Sequence, residues 1–143
     1  MADDHPGFIA PPDETQPACQ EQLPLEAIAG LQAFNAGQFF EAHEHLENAW
    51  RAELRPVREM YRGVLQVAVG YYHISRQNYV GARKMFAHSR NWLTPFPVVC
   101  QGIDLKQLRQ DMDRVEAELV RLGPNHIADF NRSLFKKVVY LHE

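Results

Sequence analysis

The stretch Phe39-Phe40-Glu41-Ala42-His43-Glu44-His45-Leu46-Glu47-Asn48-Ala49-Trp50-Arg51 sets two histidines and three glutamates among aromatic and aliphatic residues. His43-Glu44-His45-Leu46-Glu47 reads H-E-x-x-E, one residue from the zincin pattern H-E-x-x-H. In that pattern two histidines one helical turn apart bind zinc, and the glutamate activates water. Here the second ligand would be Glu47, with His73 as a third. The chemistry at stake is therefore divalent-metal binding or metal-dependent hydrolysis. Against it, no downstream motif supplies the third ligand, and the E-x-x-H pair of carboxylate di-iron bundles is missing.

A helical wheel sorts these side chains. At about 100° per residue, Phe39, Ala42, Ala49 and Trp50 fall within about 60° of Leu46 and define a buried arc. His43 lies on the edge of that arc with Glu47 one turn on, where the two can touch. Glu41 and Glu44 project to the opposite side, and His45 sits on the far boundary. A carboxylate and an imidazole turned inward need hydrogen-bond partners. The next helix offers Arg58 and a polar stripe of Glu59, Arg62, Gln66, Gly70, His73 and Gln77 at three- and four-residue steps. The favoured reading is thus a buried polar seam of His43, Glu47, Gln66 and His73 that fixes helix register.

Five helices must position these residues. The pattern Leu25, Ile28, Leu31, Phe34 starts the first, and Asn35-Ala36-Gly37 turns the chain. The second runs from about Gln38 to Leu54, where Pro56 stops it. The third, about Val57 to Gln77, is apolar nearly all round in GVLQVAVGYY and should be the central strut. Asn78 turns into the fourth, Tyr79 to Leu93, which Thr94-Pro95-Phe96-Pro97 ends. Asp104 and Gln107 open a fifth whose stripe is Leu105, Leu108, Met112, Val115, Leu119 and Leu122, closed by Gly123-Pro124. That helix could dock on the bundle or on a second copy. In the tail, DFNRSLFKKVVYLHE, helical spacing competes with the strand-like VVYL. A faint repeat aligns Phe39-Phe40-Glu41-Ala42 and Leu46 with Tyr79-Val80-Gly81-Ala82 and Phe86 at a shift of 40 positions. Two such hairpins resemble tetratricopeptide units but are too few for a solenoid.

The expected architecture is all-α: a compact antiparallel bundle of about five helices, from two helix-turn-helix hairpins plus a C-terminal amphipathic helix. Residues 1–24, with Pro6, Pro11, Pro12, Pro17 and Pro24, read as a flexible arm; residues 25–123 form the bundle, and residues 124–143 a tail of open structure. Cys19 and Cys100, one of them in that arm, are expected to make neither a disulfide framework nor a zinc site. No apolar run reaches the roughly 18 residues of a membrane span, and the acidic, proline-broken start is no secretory signal, so a cytoplasmic setting is expected.

Net charge is −3, but it is segregated. Residues 1–53 carry ten acids against Arg51, whereas residues 54–100 carry seven basic residues against Glu59. Internal pairing of acidic with basic helices explains this more simply than a nucleic-acid surface, because no basic helix interleaves exposed aromatics. Arg76, Arg83 and Arg90, seven apart, make a candidate anion-binding face; a solvated or internally paired face is the simpler account. His5, His126 and His142 read as solvated and His88 as half-exposed. Ser75, Ser89 and Ser133 lack a nucleophile elbow, and no phosphate-binding glycine motif occurs.

Three blocks carry a family resemblance: Phe34-Asn35-Ala36-Gly37-Gln38-Phe39-Phe40-Glu41-Ala42-His43-Glu44 with Leu46, Glu47 and Trp50; Gly63-Val64-Leu65-Gln66-Val67-Ala68-Val69 with Tyr72-His73; and Asn78, Gly81 and Ala82. Over roughly residues 25–95 the chain resembles the bacterial and archaeal family of domain of unknown function 309. The resemblance implies a small all-helical fold with no established activity, and a signature that includes Glu41, His43, Glu44, Glu47, Gln66 and His73. The leading expectation is a non-enzymatic interaction or scaffold protein that binds a protein partner or self-associates, with no membrane or nucleic-acid role. The alternative is a metal-binding protein or metal-dependent hydrolase using His43, Glu47 and His73.

Overall fold

The computed structural model describes residues 17–141. Expectations for residues 1–16, His5 among them, and for His142 lie outside the described residues. The five helices are α1 (Leu25–Asn35), α2 (Phe39–Ala52), α3 (Arg58–Ser75), α4 (Tyr79–Leu93) and α5 (Leu105–Leu122). Each of the first four packs chiefly on its neighbour in sequence, and α5 lies more lightly on α4. The fold is all-α, with a single two-stranded hairpin of β1 (Val99–Cys100) and β2 (Ile103–Asp104) among the described residues. No helix there is long and apolar enough to cross a membrane.

α3 is the central strut that its composition predicts. Every residue from Glu59 to Ala68 is buried, because α2 covers one flank and α4 the other. Glycines let these helices close up. A Cβ on Gly70 would stand 2.3 Å from the Phe86 ring, one on Gly63 2.5 Å from Leu93, and one on Gly30 2.7 Å from Leu46. The Gly63 carbonyl uses the proximity to accept the Ser89 hydroxyl at 2.8 Å.

The repeat at a shift of 40 is structural as well. Gly30 against Leu46 in α1–α2 corresponds to Gly70 against Phe86 in α3–α4. The turns match too: Gln38 N donates to Ala33 O and Asn78 N to His73 O, while Gly37 (φ 77°) and Gln77 (φ 59°) both occupy the left-handed region. Such a residue lets the last helical carbonyls be satisfied as the chain reverses.

Three expectations shift. Helix α2 ends at Ala52 rather than Leu54, and Leu54 is exposed; Leu25, in the first turn of α1, is exposed as well. Cys19 and Cys100 form a disulfide across a sequence separation of 81. The segment after residue 16 that was read as arm is therefore packed, with Ala18, Cys19 and Leu23 buried. Gln101 completes this fastening: its amide N donates to Cys19 O at 2.7 Å, its Nε2 to Ala18 O at 3.0 Å, and its Oε1 accepts the Tyr61 hydroxyl at 2.6 Å. Gln101 and Gly102, at φ 48° and 79°, make the tight turn of the hairpin.

The α5 stripe of Leu105, Leu108, Met112, Val115 and Leu119 is buried within the chain. Of its two expected uses, the apolar face is spent on the bundle, so self-association through it loses its surface. Arg109 reaches from α5 to accepting carbonyls of Leu93 and Phe96 at the end of α4. The tail is neither helix nor sheet: two 3-10 turns, Pro124–Asp129 and Arg132–Leu134, lead to an extended run that bridges Tyr140 to Ile103.

Candidate functional site

The wheel phase of α2 holds. Ala42, Leu46 and Ala49 are buried, Glu41 and Glu44 are exposed, and His43 and Glu47 are half-buried at 19% and 16% side-chain exposure. His43 Nε2 lies 3.4 Å from Glu47 Oε2, and neither atom has a hydrogen-bond partner despite being buried. The other carboxylate oxygen of Glu47 accepts from Arg51 at 2.8 Å. His45, on the far boundary, meets Glu26 of α1 at 2.9 Å, and this bond holds the Glu26 carboxyl below its ordinary range.

On α3 the predicted stripe is buried at Glu59, Arg62 and Gln66, half-buried at His73, and exposed at Gln77. Its partners include two tryptophans that the wheel did not assign to it. Trp50 Nε1 donates to Glu59 Oε1 at 2.9 Å, and Arg58 Nε donates to the Trp50 carbonyl at 3.1 Å. The Arg62 guanidinium lies between two indoles, 4.1 Å from the Trp92 centroid and 4.7 Å from that of Trp50, with Glu59 Oε2 at 3.5 Å. A delocalised, weakly hydrated guanidinium suits such a slot, where an aromatic face replaces water. The available signal was Glu59 itself, the lone acid of residues 54–100 on an apolar helix. Only the fold could bring Trp92 to it.

Metal ligation finds little geometry. Among the described residues no group of three or more His, Cys, Asp or Glu side chains could hold a metal ion. His43 and Glu47 are brought together; His73 instead lies at the end of α3, its Nδ1 3.4 Å from Asn78. The arginine face is largely neutralised in place. Arg83 pairs with Glu116 at 2.7 Å, and Arg90 with Glu116 at 2.6 Å and Asp113 at 2.8 Å, whereas exposed Arg76 makes no ion pair among the described residues. Basic α4 thus lies beside acidic groups, as the charge segregation suggests, although the acids come from α5.

The signature block has a second role. A groove of about 720 Å³ opens where the α1–α2 turn, residues 34–41, faces Tyr72 and Ser75 on one side and Arg132 and residues 135–137 on another. Asn35 holds the far wall by reciprocal bonds, donating to Val138 O at 3.0 Å and accepting from Val138 N at 2.7 Å. Phe135 stacks on Tyr71 at 4.6 Å and on Phe130 at 5.2 Å, and meets Phe39 edge-on at 5.5 Å. Burial in this aromatic cluster pushes the Tyr71 hydroxyl well above the ordinary phenol range. Phe40 stays half-exposed at 48% and packs near Tyr72, centroid to centroid 5.7 Å. Sequence reasoning missed this groove because its far wall is a segment of no regular structure a hundred residues away.

Comparison with known proteins agrees with the signature. Residues 27–85 match the family model described as Domain of unknown function (DUF309). Over 68 residues the chain is 42% identical to the uncharacterized protein YpuF of Bacillus subtilis (strain 168), a match that covers 46% of this chain and 39% of that relative. The chain thus spans well under half the length of that relative. No specific activity attaches to the family or to the relative. The matched segment runs from α1 into α4 and contains both the α2 block and the α3 stripe, so it is residues 27–85 that are similar to this domain of unknown function.

Proposed function

We propose that the chain is a non-enzymatic helical interaction module whose recognition surface is the groove at the α1–α2 turn. One observation carries this reading: the groove is lined by none of His43, Glu47, Gln66 or His73. His43 and Glu47 are half-buried beside each other on α2, and Glu59 and Arg62 engage Trp50 and Trp92. The open concave surface lies elsewhere and offers Phe40 and cationic side chains. We keep the expected cytoplasmic setting as part of this reading. There the Cys19–Cys100 bond meets a reducing thiol pool, and alkylation of freshly lysed cells followed by mass spectrometry tells whether it is closed.

Proximity labelling in native cells tests the reading, with Phe40→Asp marking the groove and His43→Asn the seam. The expected result is a partner set kept by the His43 variant and lost by the Phe40 variant. A turnover that depends on His43 and Glu47 would overturn it.

A second reading has one feature in its favour. The facing atoms His43 Nε2 and Glu47 Oε2 are buried and unbonded, as two metal ligands would be before loading. Elemental analysis after chelation and repletion with zinc, manganese or iron decides it: a stoichiometric ion lost on His43→Asn establishes the site, and sub-stoichiometric retention removes it.

A further inference from the structure

We infer that the groove takes an acidic peptide segment with one aromatic or aliphatic anchor, supplied by a partner protein; this rests on the interaction reading above and names its ligand class. The far wall carries Arg132, Lys136 and Lys137, all exposed, and none of the three makes an ion pair among the described residues. Arg83 and Arg90, by contrast, are already matched to carboxylates of α5. Opposed to this wall is a single acid, Glu41, so the groove has a net positive lip in a chain of net charge −3. Such a local reversal of sign selects a complementary partner and steers its approach.

The apolar component is equally local. Phe40 exposes 48% of its surface beside half-buried Tyr72, and this pair gives an anchor side chain an apolar seat between the cations and Glu41. Hot spots at interfaces form around such an anchor in a pocket, with charged groups at the rim. The wall is also held in place: Phe135 is locked in the aromatic cluster and Val138 is bonded to Asn35, so the cations are presented without a large ordering cost on binding.

Glu41 decides between an acidic peptide and single-stranded nucleic acid. A polynucleotide sets a phosphate at every residue and stacks successive bases on several exposed rings. The groove offers one half-exposed ring and puts a carboxylate opposite the cations. A peptide can place its acids on the Lys136 side and a backbone N–H or hydroxyl at Glu41.

The probe is a fluorescein-labelled peptide of about twelve residues, rich in Asp and Glu with one central Phe, titrated into the 143-residue chain by anisotropy. Binding is expected to weaken about tenfold or more in Lys136→Glu/Lys137→Glu and in Phe40→Ser, and to strengthen two- to threefold or so in Glu41→Gln. Circular dichroism melts show whether each variant keeps its fold; all these side chains are exposed, so melting should be unchanged. Replacing the probe's Phe by Ser should also abolish binding.

Besides failure of the probe to bind, four results overturn the inference. One is probe binding that ignores these substitutions, and another is tighter binding of an oligothymidylate of equal charge. A third is a dimer in light scattering that Lys136→Glu/Lys137→Glu dissolves, which makes the occupant a second copy. The fourth is probe affinity that rises in a monomeric Asp3→Asn/Asp4→Asn/Asp13→Asn/Glu14→Gln variant, which makes it the chain's own N-terminal segment. If the probe fails but Phe40→Asp still loses native partners, the peptide chemistry is wrong and the interaction reading survives.

Discussion

The guanidinium of Arg62 lies 4.1 Å over the ring of Trp92, a residue 30 positions away on α4, and 4.7 Å over that of Trp50 on α2. One buried cation thereby joins three helices. Its carboxylate partner, Glu59, is occupied on one oxygen by the Trp50 N–H and lies near Arg62 with the other.

Removing one member of such a set costs more than removing all of it, because a charge is left buried without its counterpart. Arg62→Ala is expected to destabilise the fold by about 3 kcal/mol or more, read as a lower denaturation midpoint followed by tryptophan fluorescence. Arg62→Met with Glu59→Gln keeps volume and removes both charges, so the double variant should lose less than Arg62→Ala alone.

Gln77 holds φ 59° at the position where the equivalent turn of α1–α2 has Gly37. A side chain in the left-handed region is strained, and glycine is not. Gln77→Gly should therefore stabilise by about 1 kcal/mol, while Gly37→Ala should cost a similar amount. Thermal melts of the two variants give opposite shifts if the two turns are equivalent.

The Cys19–Cys100 bond closes a separation of 81 residues, and loop entropy alone makes such a link worth about 4 kcal/mol against the unfolded chain. Cys19→Ser/Cys100→Ser should lower the urea midpoint accordingly. Limited proteolysis should then cut first within residues 17–24, because the hydrogen bonds from Gln101 to Ala18 and Cys19 hold that segment less firmly than the covalent link does.

Tyr61 is buried and donates to Gln101, and burial pushes its hydroxyl from the ordinary 10.0 up to about 12. The sign follows from which state ionises first. Below the unfolded value the neutral phenol is common to both states and its contribution is complete. As pH rises from about 10 through about 12, the unfolded chain ionises first and the contribution is lost. Stability against urea should fall across that window, and Tyr61→Phe should flatten the fall.

Much of the fold was legible in the chain. The Leu46 phase placed Ala42 and Ala49 inside, put Glu41 and Glu44 outside, and set His43 against Glu47. The apolar run of α3 marked it as central, and Asp104 caps α5 by accepting from Gln107 N at 2.9 Å. The repeat at a shift of 40 pointed to two matching hairpins. On α3 the burial of Glu59, Arg62 and Gln66 was legible, but their tryptophan partners were not, and the expected stripe runs out at half-buried His73 and exposed Gln77. The disulfide was misread because prolines made residues 1–24 look unattached, and proline content says nothing about a cysteine's distant partner.

What the chain determined by itself are properties set within a few residues: helix phase, turn positions, caps, and which side chains face inward. These depend on a 3.6-residue period and on local backbone preferences, so neighbouring residues suffice to define them. Tertiary structure alone decided what each inward face meets: Trp92 on Arg62, Cys19 on Cys100, Val138 on Asn35, and the cationic lip of Lys136 and Lys137 over the signature turn. The reason is that such pairs are far apart along the chain. Their meeting is chosen by how whole helices and a docked tail close around one core, and no local pattern encodes that closure.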